Sequence, residues 1–160
     1  MPETFARAGQ FFYLPDYLTW AATGSLMRST CTVTCKWTYL AHESRWDGSY
    51  FETISLPENP AEEYARIGQT ITPSGTALNG GLSQKAANSM GLRAGIPVAV
   101  GPIDTHAGGV GTEGADPKAG PEATMTYVFG TFTCTMCSAS DAHVVSGVWG
   151  PFCSVMAPGM

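Results

Sequence analysis

Two hydrophobic periods alternate along this chain, with Gly and Pro at most of the joints. "LPDYLTWAATGS" (residues 14–25) opens on Pro15 and Asp16, sets Tyr17, Leu18 and Ala21 on one helical face and stops at Gly24, which predicts a helix. "CTVTCKWTYLAHES" (31–44) fits two periods at once. Its β-branched residues favour a strand, whereas Val33, Trp37, Leu40 and Ala41 form a helical stripe. One lysine, Lys36, sits inside this apolar stretch. "RWDGSYFETIS" predicts a short helix capped by Asp47, with Trp46 and Phe51 packed beneath it.

Beyond a connector around Pro57 and Pro60, "LSQKAANSMGL" (82–92) is a helix capped by Ser83, with Ala86, Ala87 and Met90 inward and Gly91 ending it. "GIPVAVGPID" (95–104) is a continuous apolar run, the pattern of a strand covered on both faces. A helix followed by such a strand indicates an α/β layer fold. "ADPKAGPEA" (115–123) has the composition of a connector, and "TMTYVFGTFTCTMCSAS" (124–140) predicts a hairpin turning at Gly130-Thr131. The turn-rich tail holds Trp149 and Phe152 as expected core aromatics.

Composition narrows the picture. Charged residues are 13% of 160 against 44% hydrophobic, where an ordinary domain carries about 25% charge. So small a solvated surface suits a piece of a larger body. The net charge of −5 comes without any basic stripe, which argues against nucleic acid and anionic membranes as partners. No apolar run approaches the ~20 residues that span a bilayer. The amino terminus lacks the basic start and apolar core of a signal peptide, so a cytoplasmic address is expected.

Five cysteines (Cys31, Cys35, Cys134, Cys137, Cys153) do not make a disulfide framework in such a setting. In "CTMC" positions i and i+3 of a strand face opposite ways, and "CTVTC" shares a face but shows no second ligand pair nearby. No metal site is therefore expected, and the thiols read as small hydrophobes. His42 and His143 read as loop residues.

Asp104 ends the apolar run, where open α/β sheets place their ligands. The alternative is a helix N-cap, and spacing leaves both open. The "GGVGTEG" that follows is neither a Walker loop nor a dinucleotide fingerprint. Asp104 and His106 supply at most two metal ligands.

The order of these motifs resembles a known family. "GLSQKAANSMGLRAGIPVAVGPIDTHAGGVG" is similar to the segment of FGGY-family carbohydrate kinases that ends in G-x-x-D-x-x-A-G. "FGTFTCTM" resembles that family's phosphate-binding turn, and "SGVWGPFCSVMAPGM" its following run. "LPDYLTWAATGS" and "CTVTCKWTYLAHESRWD" are similar to its ribulokinase branch. The resemblance implies a ribonuclease-H-like (actin-like ATPase) α/β fold, of which this chain is a central fragment. Residues 1–115 would end the sugar-binding domain, 116–123 link, and 124–160 begin the ATP-binding domain.

It also implies roles. Asp104 takes the place of the general base that accepts the proton of the attacking sugar hydroxyl. Lys36 takes that of a lysine contacting the ketopentose, with a snorkelling lysine as the plainer reading. The resemblance assigns His106 no role, and it reads either as a neutral imidazole near the substrate or as a packed, hydrogen-bonded histidine. Gly130, Thr131 and Phe132 fall on the turn that approaches ATP phosphates. ATP and Mg²⁺ are the implied cofactors, a pentulose the implied small-molecule partner, and a homodimer of the full-length parent is compatible. Two departures qualify this. Phe132 replaces a hydroxyl in the turn, and no D-x-G-T-x-S phosphate loop precedes Phe5. The expectation is a sugar kinase whose parent does the chemistry, with a non-catalytic product that binds sugar or a full-length partner as the alternative.

Overall fold

A computed structural model describes residues 2–116 and 118–160, with nothing taken from the side chain of residue 2. Pro117, inside the expected connector, lies outside the described residues. Among those residues no helix is long and apolar enough to cross a membrane. After α1 (Pro2–Arg7), helix α2 spans Leu14–Thr23 and ends at Gly24, whose left-handed backbone (φ 81°) donates its N–H to the Trp20 carbonyl. Tyr17, Leu18 and Ala21, which share one helical face, are exposed, and Asp16 and Thr19 are the buried pair. The helix is apolar nearly all round, so its orientation is set by what Asp16 bonds rather than by its hydrophobic stripe.

The ambiguous segment is helical. α3 (Thr30–Trp37) follows directly on the two-residue strand β1 (Arg28–Ser29), with residues 30–34 buried. Its β-branched residues are accepted in a helix because a tertiary partner caps its amino end. Asp16 Oδ1 accepts from Ser29 N at 2.9 Å and Oδ2 from the Thr32 hydroxyl at 2.6 Å. Beside it Arg28, 1% exposed, lies 4.0 Å from the Phe12 ring centroid and donates to the Leu26 carbonyl and to Gln10 Oε1, each at 2.6 Å. The stripe does not run on to Leu40, because Thr38 closes the helix and Tyr39–Leu40 forms β2, paired antiparallel with β3 (Arg45–Trp46).

Asp47 caps α4 (Gly48–Thr53), accepting from Ser49 N, and Trp46 lies against Phe51 and stacks on Tyr64 with centroids 5.1 Å apart. Strand β4 (Ile71–Thr72) pairs in parallel with β1. Helix α6 (Gln84–Met90) follows α5 (Glu58–Ala61) in chain order. It has its expected Ser83 cap, with Ala86 and Ala87 buried, although Met90 points outward at 59% exposure.

Residues 96–100 are extended as expected but are not sandwiched. They bond to one neighbour, residues 75–82, through Leu78 N to Val98 O and reciprocal bonds between Gly75, Thr76 and Val100. Val100 is buried, Val98 half-buried, and Pro97 and Ala99 are exposed. Pro97 has no N–H for a second ladder, which suits an edge position. This segment leads through Ile103 into α7 (Asp104–Glu113).

The hairpin forms where expected: β5 (Thr126–Val128) pairs antiparallel with β6 (Cys134–Met136) across the 129–133 loop. Two small cores hold the described residues together. One joins Leu82, Ala86 and Ala87 to Ala22 and Val98. The other joins Cys31 to Val155 and Met156, with Cys35, Ile103, Met136 and Phe152 around it. Met156 also lies over Gly109 of α7, where a Cβ would meet its sulfur. Trp149, expected in the core, is 88% exposed, while Phe152 packs as expected.

Candidate functional site

Asp104 is the first residue of α7. Ile103 is the N-cap, and the Asp104 carboxylate accepts only from the next backbone amide, Thr105 N, at 2.9 Å among the described residues. The side chain is exposed. A carboxylate at a helix amino terminus, open to solvent, retains lone pairs for an incoming hydroxyl. Lys36 lies in the last turn of α3, exposed, with Nζ 5.4 Å from the Tyr13 ring centroid.

The two helices that carry them meet. Ile103 N donates to Cys31 Sγ at 3.4 Å, and one ligand atom each of Cys31, Cys35 and His106 lies within 4.8 Å of the others. Cys35 immediately precedes Lys36, and His106 is two residues beyond Asp104. Residues seventy positions apart are thus brought to one place by a sulfur–imidazole cluster. Cys31 is fully buried, Cys35 and His106 half-buried, and Nδ1 of His106 is buried without a hydrogen-bond partner.

Electrostatics separate the two thiols. A hydrogen bond from Cys35 draws Cys31 down to about 5 against the opposing effect of burial, with His106 and the Ile103 amide adding to the pull. Cys35, which holds the proton it shares, is driven up by that bond and by burial.

The expected phosphate turn is open to solvent. Gly130, Thr131, Phe132 and Thr133 are all exposed, and Phe132 is 89% so. His42 and His143 are exposed, as expected of loop residues. All five cysteines are free, and Cys137 is exposed rather than buried.

Sequence reasoning missed the Asp16–Ser29–Thr32 cap and the third member of the cysteine cluster. The only local sign of the first is an acid in an apolar helix. The second has none, since His106 arrives from a distant element.

The fold and the relatives agree on a class. The structure superimposes on a ligand-bound xylulose kinase from Lactobacillus acidophilus with a TM-score of 0.54 at 14% identity, over 69% of this chain and 21% of that one. The fold is therefore that of a segment of a sugar kinase, an α/β arrangement of the actin-like ATPase kind. No family model matches the chain. A human FGGY carbohydrate kinase domain-containing protein is 44% identical over 161 residues, 96% of this chain and 29% of that one. A D-ribulokinase from Saccharomyces cerevisiae is 32% identical over 94% of this chain and 25% of its own length. The chain belongs to the FGGY carbohydrate kinase family and spans less than a third of the length of these curated relatives.

Proposed function

We propose that this chain carries the sugar-contacting and proton-accepting part of an ATP-dependent ketopentose kinase acting on a ribulose-like sugar in the cytoplasm. Residues 1–115 belong to the sugar-binding domain, and 124–160 open the nucleotide-binding one. The observation that carries the reading is the convergence of α3 and α7 at Cys31, Cys35 and His106, which brings the elements bearing Lys36 and Asp104 together.

The chemistry asked of these residues is modest. Phosphoryl transfer depends on positioning and on charge stabilisation, so a base of ordinary strength suffices if it reaches the hydroxyl. Asp104 accepts the proton as the sugar oxygen attacks, and Lys36 donates to the sugar's oxygens and fixes which hydroxyl faces the carboxylate. ATP with Mg²⁺ supplies the phosphoryl group in the whole protein. Phe132 at the turn supports a second reading, in which sugar binds without transfer; binding heat without product formation would distinguish it.

The deciding test is Asp104→Asn in the full-length protein. Loss of a general base costs about 10²–10⁴ in kcat. Because Asp104 bonds only its neighbouring amide among the described residues, the fold should be unaffected. A variant that forms ribulose phosphate at the parent rate would overturn the assignment. Lys36→Met should raise KM for the sugar more than it lowers kcat.

A further inference from the structure

The cluster that joins α3 to α7 has the composition of a metal site. We propose that Cys31, Cys35 and His106 bind a zinc ion, with a water in the fourth position. This assignment is independent of the kinase reading and of any role for Asp104.

Several observations favour it. Cys31 and Cys35 are four residues apart on a helix and so share one face. His106 faces them from α7, and the three ligand atoms lie within 4.8 Å of one another. Tetrahedral zinc holds thiolate and imidazole ligand atoms about 3.5–3.8 Å apart, from Zn–S and Zn–N lengths of about 2.3 and 2.0 Å. The ligand atoms therefore stand within little more than an ångström of that separation. Among the described residues the buried Nδ1 of His106 has no hydrogen-bond partner, and a ring nitrogen in that condition costs free energy unless something occupies it.

The charge balance also fits. Two thiolates and a neutral imidazole bring Zn²⁺ to net zero, so the complex carries little of the desolvation cost of a bare ion. That matters because Val155, Met156, Met136 and Phe152 surround Cys31 with apolar and thioether groups. His106 also lines a groove of about 660 Å³, which gives water a path to the fourth position. Among the described residues no carboxylate joins the cluster, so the donors favour zinc over magnesium or calcium.

Cobalt is the spectroscopic probe. The full chain, stripped by chelator under reducing conditions, should take up one Co²⁺ with thiolate-to-cobalt charge transfer and the visible bands of a tetrahedral site, both abolished by added Zn²⁺. Cys35→Ser and His106→Gln should each weaken binding by about 100-fold or more, beyond the effect of losing an outer-shell partner. A protein with Cys134→Ser, Cys137→Ser and Cys153→Ser together should bind as before. His106→Cys should restore binding with stronger charge transfer, a gain that loss of fold cannot imitate. The proposal falls if no tetrahedral spectrum forms, if it survives Cys35→Ser, or if the triple substitution removes it.

Discussion

Asp16→Ala tests whether one buried carboxylate decides the helical state of residues 30–37. Asp16 is 2% exposed and accepts two bonds at the amino end of α3, from Ser29 N at 2.9 Å and Thr32 Oγ1 at 2.6 Å. Removing it leaves the Ser29 N–H, itself fully buried, without an acceptor, which costs about 1–3 kcal/mol. Thr32 retains the Ser29 carbonyl at 2.9 Å as a second acceptor, so its loss is smaller. The favourable placement of an anion at a helix amino end adds about 0.3–1 kcal/mol. Part of this is offset because burial makes the ionised carboxylate expensive, which is also why its pKa is raised.

The net expectation is a destabilisation of about 2–4 kcal/mol, or about 2–4 °C in Tm for each kcal/mol in a chain of this size. Asp16→Asn keeps an acceptor for Ser29 but removes the charge near Arg28, and should fall between the parent and the alanine variant. The pH dependence has a definite sign. With the folded pKa above the ordinary 3.8, the folded state holds this proton more tightly than the unfolded state does. The carboxyl's contribution to stability is therefore fully present below 3.8 and declines as pH rises through the raised value. Denaturant titrations of parent and Asp16→Asn should show the parent's advantage shrinking as pH rises from that range towards neutrality. An alanine variant within about 0.5 kcal/mol of the parent, the scatter of ordinary surface changes, would refute the capping argument.

Two further outcomes follow from the packing. Gly68→Ala should cost more than about 2 kcal/mol in chemical denaturation, since φ is +133° and the added Cβ would strike Arg28 Cγ; Gly24→Ala, at φ +81° with open space around it, should cost about 1 kcal/mol. Phe132→Ser should leave stability within about 0.5 kcal/mol, because the ring is 89% exposed, while tightening nucleotide binding in the full-length protein; unchanged nucleotide affinity would show that the ring never faces the phosphates.

Much of the local structure was legible along the chain, because caps and turns are written in adjacent residues. Ser83 and Gly91 bound α6, Asp47 caps α4, and the 126–136 hairpin pairs around Gly130-Thr131, each through short-range chemistry that needs no distant partner. The family was legible too, because a collinear order of motifs survives without knowledge of contacts. The inward faces were not. Tyr17, Leu18 and Met90 satisfy a helical stripe yet point outward, since a helix apolar on most sides buries whichever face its neighbours engage.

The sequence by itself determined where α4 begins and where α6 begins and ends, the α/β class, and the position of Asp104 at the end of an apolar run. Tertiary structure alone decided that residues 30–37 are helical, because the cap that makes them so belongs to Asp16, thirteen residues before Ser29. It alone brought His106 to Cys31 and Cys35, because three donors converge through packing between distant elements and no spacing along the chain encodes that meeting.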